Sequence, residues 1–198
     1  MPDAMVTAVP AGNISMKYTK EYVSGDLSMP EYIEKYVDVE QFLPYCRECQ
    51  NYGKIWSCPP YDFDPMDIWN AYDRIHVEGT IIHFPEEEVS NERTKEEIFE
   101  IEKEICEKEK QIIADKLLAM EDDNSISLSA GTCLSCRSCA RSEGKPCIHP
   151  ELMRYSIESL GGNVGLTCSK MLGIELEWVT EGHLPKTISL ISALMIKN

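Results

Sequence analysis

The sequence predicts an α+β (or α/β) fold: a single mixed β-sheet of about four strands, with helices packed on it and cysteine-rich loops at its edge. Three observations lead there. Short β-rich runs recur from residue 76 onward, a long charged segment between two of them keeps a helical apolar stripe, and most of the nine cysteines fall in two clusters of loop-like sequence.

Taken in order, residues 1–15 are small and polar and are expected to form a flexible arm, leaving 16–198 as one metal-binding domain. Residues 29–43 read as short helical pieces, with Pro30 suited to a first helical turn. The first cysteine cluster, 46–58, follows in loop-like sequence, and 68–72 reads as a short helix. Residues 76–84 are rich in β-branched residues and end at Pro85, which predicts a strand. The spacing of Ile98, Ile101, Ile105 and Ile112 predicts a helix over about 91–120 with one buried face, its acidic residues early and Lys108, Lys110 and Lys116 late, as the helix dipole favours. Asp122-Asp123-Asn124 ends it. Residues 126–130 predict a second strand that delivers the chain to the second cysteine cluster, 133–147. Pro150 opens a helix that Gly161-Gly162 closes, and Asn163 caps a further one that stops at Gly173. Two last strands are expected over 174–180 and 187–196, joined by a turn containing Gly182 and Pro185.

Composition narrows the function. Of 198 residues, 43% are hydrophobic, which allows a substantial core. The formal net charge of −15 argues against a general nucleic-acid binder and against docking on anionic membranes, because both need clustered Lys and Arg. No apolar run approaches the roughly 18 residues of a membrane span, and the start lacks the pattern of a secretory signal. The expected location is cytoplasmic, where cysteines serve as metal ligands or reactive thiols more often than as disulfides.

The strongest chemical signal is Cys133, Cys136 and Cys139 at two successive two-residue spacings, followed by Cys147. Such spacing turns three sulfurs inward from one tight loop, each toward a different iron of a 4Fe-4S cubane, and leaves the fourth iron to a more distant cysteine. Structural zinc usually takes two separated pairs around one ion, so zinc is the alternative cofactor. The small Ser135, Ser138 and Ala140 leave room for an inorganic core. Arg137, Arg141 and Lys145 are expected to offset its negative charge. The bacterial ferredoxin run differs, since it places the fourth cysteine closer and follows it with proline.

Cys46, Cys49 and Cys58 give three ligands of a second centre, with Trp56 and Tyr61 placed to shield it. Its fourth ligand is open among Cys168, Cys106, a histidine and a substrate. Cys168 and Cys106 also read as small core residues. An open iron would mean Lewis-acid chemistry, whereas a fully ligated centre would mean structure or electron transfer. His149 is placed either to hydrogen-bond the second cluster or to face solvent. His76, His83 and His183 read as surface residues, and no zinc-protease, P-loop or nucleophile-elbow motif is present.

The segments Tyr52-Gly-Lys-Ile-Trp-Ser-Cys-Pro-Pro-Tyr61, Cys133/Cys136/Cys139 with Cys147, and Tyr155-Ser-Ile-Glu-Ser159 resemble a prokaryotic, uncharacterised family described as predicted metal-binding proteins. The resemblance runs from about Tyr45 to the last strand. It implies a cysteine-bound metal in an anaerobic or redox setting, with no established reaction. That family tends toward Ser-Met-Glu-Ala and Gly-Ile-Asp-Val after the fourth cysteine. Here Glu158 is retained, while Asn163 stands where the family has an acid. Together these readings lead to an iron–sulfur protein acting as an electron-transfer or redox-accessory module for a redox partner protein. The alternatives are an enzyme with an open iron at Cys46/Cys49/Cys58 and a zinc-stabilised interaction protein.

Overall fold

The computed structural model describes residues 16–180 and 182–198; the arm expected over 1–15 lies outside the described residues. Strand β1 (Thr19–Ser28) is followed by helices α1 (Met29–Tyr36), α2 (Val39–Arg47) and α3 (Pro65–Trp69). Then come β2 (Arg74–His83), α4 (Glu86–Ser90), the long α5 (Lys95–Met120) and β3 (Ser125–Leu128). After the second cysteine loop, short helical turns, including α6 (Val164–Leu166) and a π-helical turn (Thr167–Leu172), lead to β4 (Thr187–Ile196). The fold is α+β, built on one four-stranded sheet of order β1-β2-β4-β3. Its strand pairs are antiparallel throughout rather than mixed; a single parallel bridge, Ser129 to Ser156, lies just beyond β3.

Residues of β2 and β4 bury both faces of the sheet. Ile75, Val77 and Ile81 share one face with Ile191, Ala193 and Met195, and this core continues into Tyr32, Trp69, Ile157, Leu160 and Cys168. Ile82 and Leu190 on the opposite face pack with Ile105, Ile113 and Leu117 of α5. Polar atoms inside the first core are paired: the Trp69 indole N–H donates to Leu160 O at 3.0 Å, and the Tyr32 and Thr167 hydroxyls are 3.0 Å apart.

Several local expectations are corrected. Helix α5 starts after Thr94 rather than at 91, because Thr94 and Glu97 form a reciprocal capping box. Its buried stripe is Ile98, Ile105, Glu109, Ile113 and Leu117, whereas Ile112 is largely exposed. The short helix expected over 68–72 begins earlier, at Pro65, where the Asp64 side chain accepts from Met66 N (2.9 Å). No helix begins at Pro150. There the guanidinium of Arg154 donates two hydrogen bonds to the Glu121 carboxylate (2.7 and 2.5 Å), and Ser156 and Ser159 trade side-chain-to-backbone bonds that compete with helix formation. Residues 174–180 form no named strand; only Thr180 bridges, to His183. That segment crosses the face of the sheet over Gly79, where a Cβ would stand 2.7 Å from Ile174 Cδ1. Conversely β1, unassigned in the sequence reading, pairs with β2 along its whole length, with Asp26 on His76 (2.9 Å) and Glu21 on His83 (3.1 Å).

Glu109 is a buried carboxylate on the apolar stripe of α5. It accepts from the Tyr18 hydroxyl at 2.6 Å and from Lys20 Nζ at 2.8 Å, tying the start of β1 to the helix. Burial, then the Glu109 bond, pushes the Tyr18 pKa up, and the same carboxylate raises that of Lys20. Glu109→Ala is expected to lower the unfolding free energy by about 3 kcal/mol by leaving these donors without their acceptor. Glu78→Ala, which removes the more exposed pair with Lys116 (2.6 Å), is expected to cost less than about 1 kcal/mol. Urea midpoints of the two variants decide it, and equal losses would contradict the assignment.

Candidate metal centre

The first cysteine loop grows out of α2. Cys46 lies in the last turn of that helix, and a run of tight turns follows, with Cys49 N donating to Cys46 O (3.1 Å), Tyr52 N to Cys49 O (3.1 Å) and Cys58 N to Ile55 O (3.0 Å). Gly53, at φ 69°, sends its N–H to Pro59 O (2.8 Å) and closes the loop ahead of the cis Pro59–Pro60 peptide. Helix α2 is held from behind by the turn at 158–162. Asp38 N donates to Gly161 O (3.0 Å), and Asn163 N donates to Tyr36 O (2.7 Å). A Cβ on Gly161 would come within 2.7 Å of Val39 Cα, and its φ of +83° independently favours glycine.

The second loop leaves β3 and returns to it. Ser129 N donates to Tyr155 O (2.8 Å) and Ser129 Oγ donates to Gly131 O (2.7 Å), so the loop is pinned at its neck. Cys133, Cys136, Cys139 and Cys147 all line one small, partly open cavity of about 20 Å³, together with Ile55, Trp56 and Ser57 of the first loop and His149 and Met153. That space is about one water-sized sphere, so the thiols must spread to admit a larger group.

The two loops interlock. Cys133 N donates to Ser57 Oγ (3.1 Å) and the Trp56 indole N–H to Lys145 O (3.0 Å). Arg141, two residues beyond Cys139, sends its guanidinium to the carbonyls of Ile55 (2.9 Å), Cys58 (2.5 Å) and Pro60 (2.5 Å), and lies 4.8 Å from the centre of the Trp56 ring. Arg141 is engaged by the first loop, Lys145 pairs with Glu143 (2.6 Å), and Arg137 is exposed. Trp56 walls the second cysteine group. Tyr61 donates to Ser57 O (2.9 Å) and stacks on Phe63.

Burial raises the Cys136 thiol pKa, and the thiols of Cys133, Cys147 and Cys139 add to the rise. Burial likewise raises Cys46, with Cys49 and then Glu158 adding. Cys58 is pushed up to about 11 by burial against an opposing Ser57 hydrogen bond, with Cys49 and Cys46 contributing. Each group therefore brings thiols within electrostatic reach of one another, a soft donor set suited to thiophilic metals. No three His, Cys, Asp or Glu side chains among the described residues stand close enough to hold a single ion. Cys168 is fully buried in the first core, and Cys106 packs on the other side of the sheet against the α5 core, so neither joins a cysteine group. His149 lines the cavity and stands 3.4 Å from Glu151. A larger open depression of about 370 Å³ at Lys95, Glu96, Phe99 and Glu100 gathers no comparable donor set.

Sequence reading missed the participation of Arg141 in the first loop and the approach of Glu158 to Cys46, whose Sγ is 4.0 Å from Glu158 O. The only sequence signal for Arg141 was its place beside Cys139; Glu158 carried none beyond its family resemblance.

Two outcomes follow. Arg141→Ala removes three charge-assisted hydrogen bonds and is expected to cost about 2 kcal/mol and to speed amide exchange over 53–58; unchanged exchange there would contradict the clamp. In the metal-free chain, Cys58 and Cys168, both pushed up to about 11 by burial, hold their protons longer than they do unfolded. The stability this contributes is whole below about pH 8.5 and is lost as pH rises toward about 11. Urea midpoints between those limits should fall less steeply in Cys168→Ala, and an identical slope would refute the linkage.

No helix among the described residues is long and apolar enough to cross a membrane. A family model described as "Predicted metal-binding protein (DUF2284)" matches residues 33–196. No curated protein and no solved structure matches the chain. The matched span takes in both cysteine loops, α5 and every strand except β1, and the chain belongs to this family of predicted metal-binding proteins.

Proposed function

We propose that the chain is a cytoplasmic iron–sulfur protein, with a 4Fe-4S cubane on Cys133, Cys136, Cys139 and Cys147 and a second iron–sulfur centre on Cys46, Cys49 and Cys58, serving a redox partner protein. The observation that carries this reading is the shared wall: Ile55, Trp56 and Ser57, which lead directly into Cys58, line the cavity of the other four cysteines. Four thiols around a cavity suit a cluster in which each iron takes one thiolate, whereas zinc asks for four donors at one point. Bound there, such clusters supply one-electron transfer. The chain's own part is to hold the two groups against each other through Arg141 and to exclude water with Trp56. Cys49 remains exposed, which offers the first centre to a docking partner.

The test is iron, acid-labile sulfide and zinc content with the visible spectrum of protein purified without oxygen. About eight irons and eight sulfides per chain are expected, with a chromophore that bleaches on dithionite and returns on oxidation. Cys133→Ser is expected to lose about four irons and keep the rest. Zinc without sulfide or colour would overturn the proposal in favour of a structural metal site.

A further inference from the structure

Ser57 stands between the two cysteine groups. In sequence it adjoins Cys58, the last cysteine of the first loop, and in space it lines the cavity of Cys133, Cys136, Cys139 and Cys147. The residue is buried, at 1% exposure. Its carbonyl accepts from the Tyr61 hydroxyl at 2.9 Å, and Arg141 holds the carbonyls of Ile55 and Cys58 on either side, so the backbone that carries it is fixed. A hydroxyl has one proton to give and two lone pairs to receive with. The Ser57 oxygen receives the Cys133 N–H at 3.1 Å, which leaves its own proton to be donated elsewhere. Among the described residues the one further partner of this hydroxyl is the Cys58 sulfur. A single small side chain thus meets the backbone of one cysteine group and the sulfur of the other.

Resting on the two-centre reading above, we infer that Ser57 is the positioning residue that joins the two centres: held by the Cys133 N–H, it directs its hydroxyl proton at Cys58 Sγ and so sets the reduction potential of the three-cysteine centre. The physical reason is charge. A hydrogen bond to a thiolate sulfur draws electron density from it and favours the reduced, more negative form of a cluster, which raises the potential. Burial keeps water from competing for the same proton. Accepting from the Cys133 N–H polarises the hydroxyl and strengthens its own donation, so the arrangement of the second loop is felt at Cys58. Reduction adds one electron, supplied by the redox partner or, in the test, by dithionite. No bond forms or breaks, and the proton stays on Ser57 Oγ.

The test loads the full chain anaerobically and compares wild type with Ser57→Ala and Ser57→Thr by iron content and by redox titration of the visible spectrum with dithionite. Amide exchange at Cys133 is measured on the metal-free chains. The Cys133→Ser chain, which keeps its backbone N–H, shows which reduction step belongs to the first centre. Ser57→Ala is expected to keep its iron, to move that step to lower potential, and to speed exchange of the Cys133 amide several-fold. Ser57→Thr, which retains a hydroxyl, is expected to restore both. An unmoved first step in Ser57→Ala, or an equal fall in Ser57→Ala and Ser57→Thr while both keep their iron, overturns this inference alone. Should Ser57→Ala fail to hold iron, exchange at Cys133 in the metal-free chain decides, and an unchanged rate overturns the link. A wild-type chain without a chromophore, or a Cys133→Ser chain with no reduction step left, overturns the inference together with the two-centre reading.

Discussion

The long antiparallel pairing of β2 with β4, buried on both faces, is the constraint from which the rest of the architecture follows. A sheet with two apolar faces needs two covers. Helix α5 supplies one with a single stripe. The other must come from segments that flank the cysteine loops: α1, α3, the turn at Ile157 and Leu160, and the π-helical turn carrying Cys168. Burying the second face therefore also draws the two cysteine regions, distant in sequence, to the same part of the molecule.

The loops themselves have little apolar area, and hydrogen bonds define their shape. The clamp is asymmetric. One guanidinium from the second loop satisfies three carbonyls of the first, a geometry suited to the planar, many-donor Arg side chain and not to Lys. The first loop in turn places Ser57 and Trp56 against the second. Each loop is thus part of the wall of the other, and the two cysteine groups form one structural unit.

Buried thiols in this unit favour the protonated form, because desolvation penalises the thiolate. Metal binding must displace those protons, so affinity rises with pH and part of the binding free energy orders the loops.

Much of this was legible in the sequence, for reasons of range. The cysteine spacings, the two central strands and the charged helix are local patterns in which each residue carries its own signal. The family resemblance rested on the same local motifs. Glu109 was also within reach, because it falls four residues from both Ile105 and Ile113 on the apolar stripe. Strand β1 carried only a short alternation of Val23, Gly25 and Leu27 among polar residues, and became a strand through pairing with β2. The expected strand at 174–180 failed for the converse reason: its apolar content is real, but it is spent on the face of the sheet above Gly79 and not on an edge. The sequence by itself determined which thiols stand together within each loop, because two-residue spacers act locally. Only the tertiary structure decided that the two loops share a wall, that Arg141 serves the loop it does not belong to, and that Glu158 meets Cys46. Those contacts join residues 76 to 112 positions apart, and no local pattern records them.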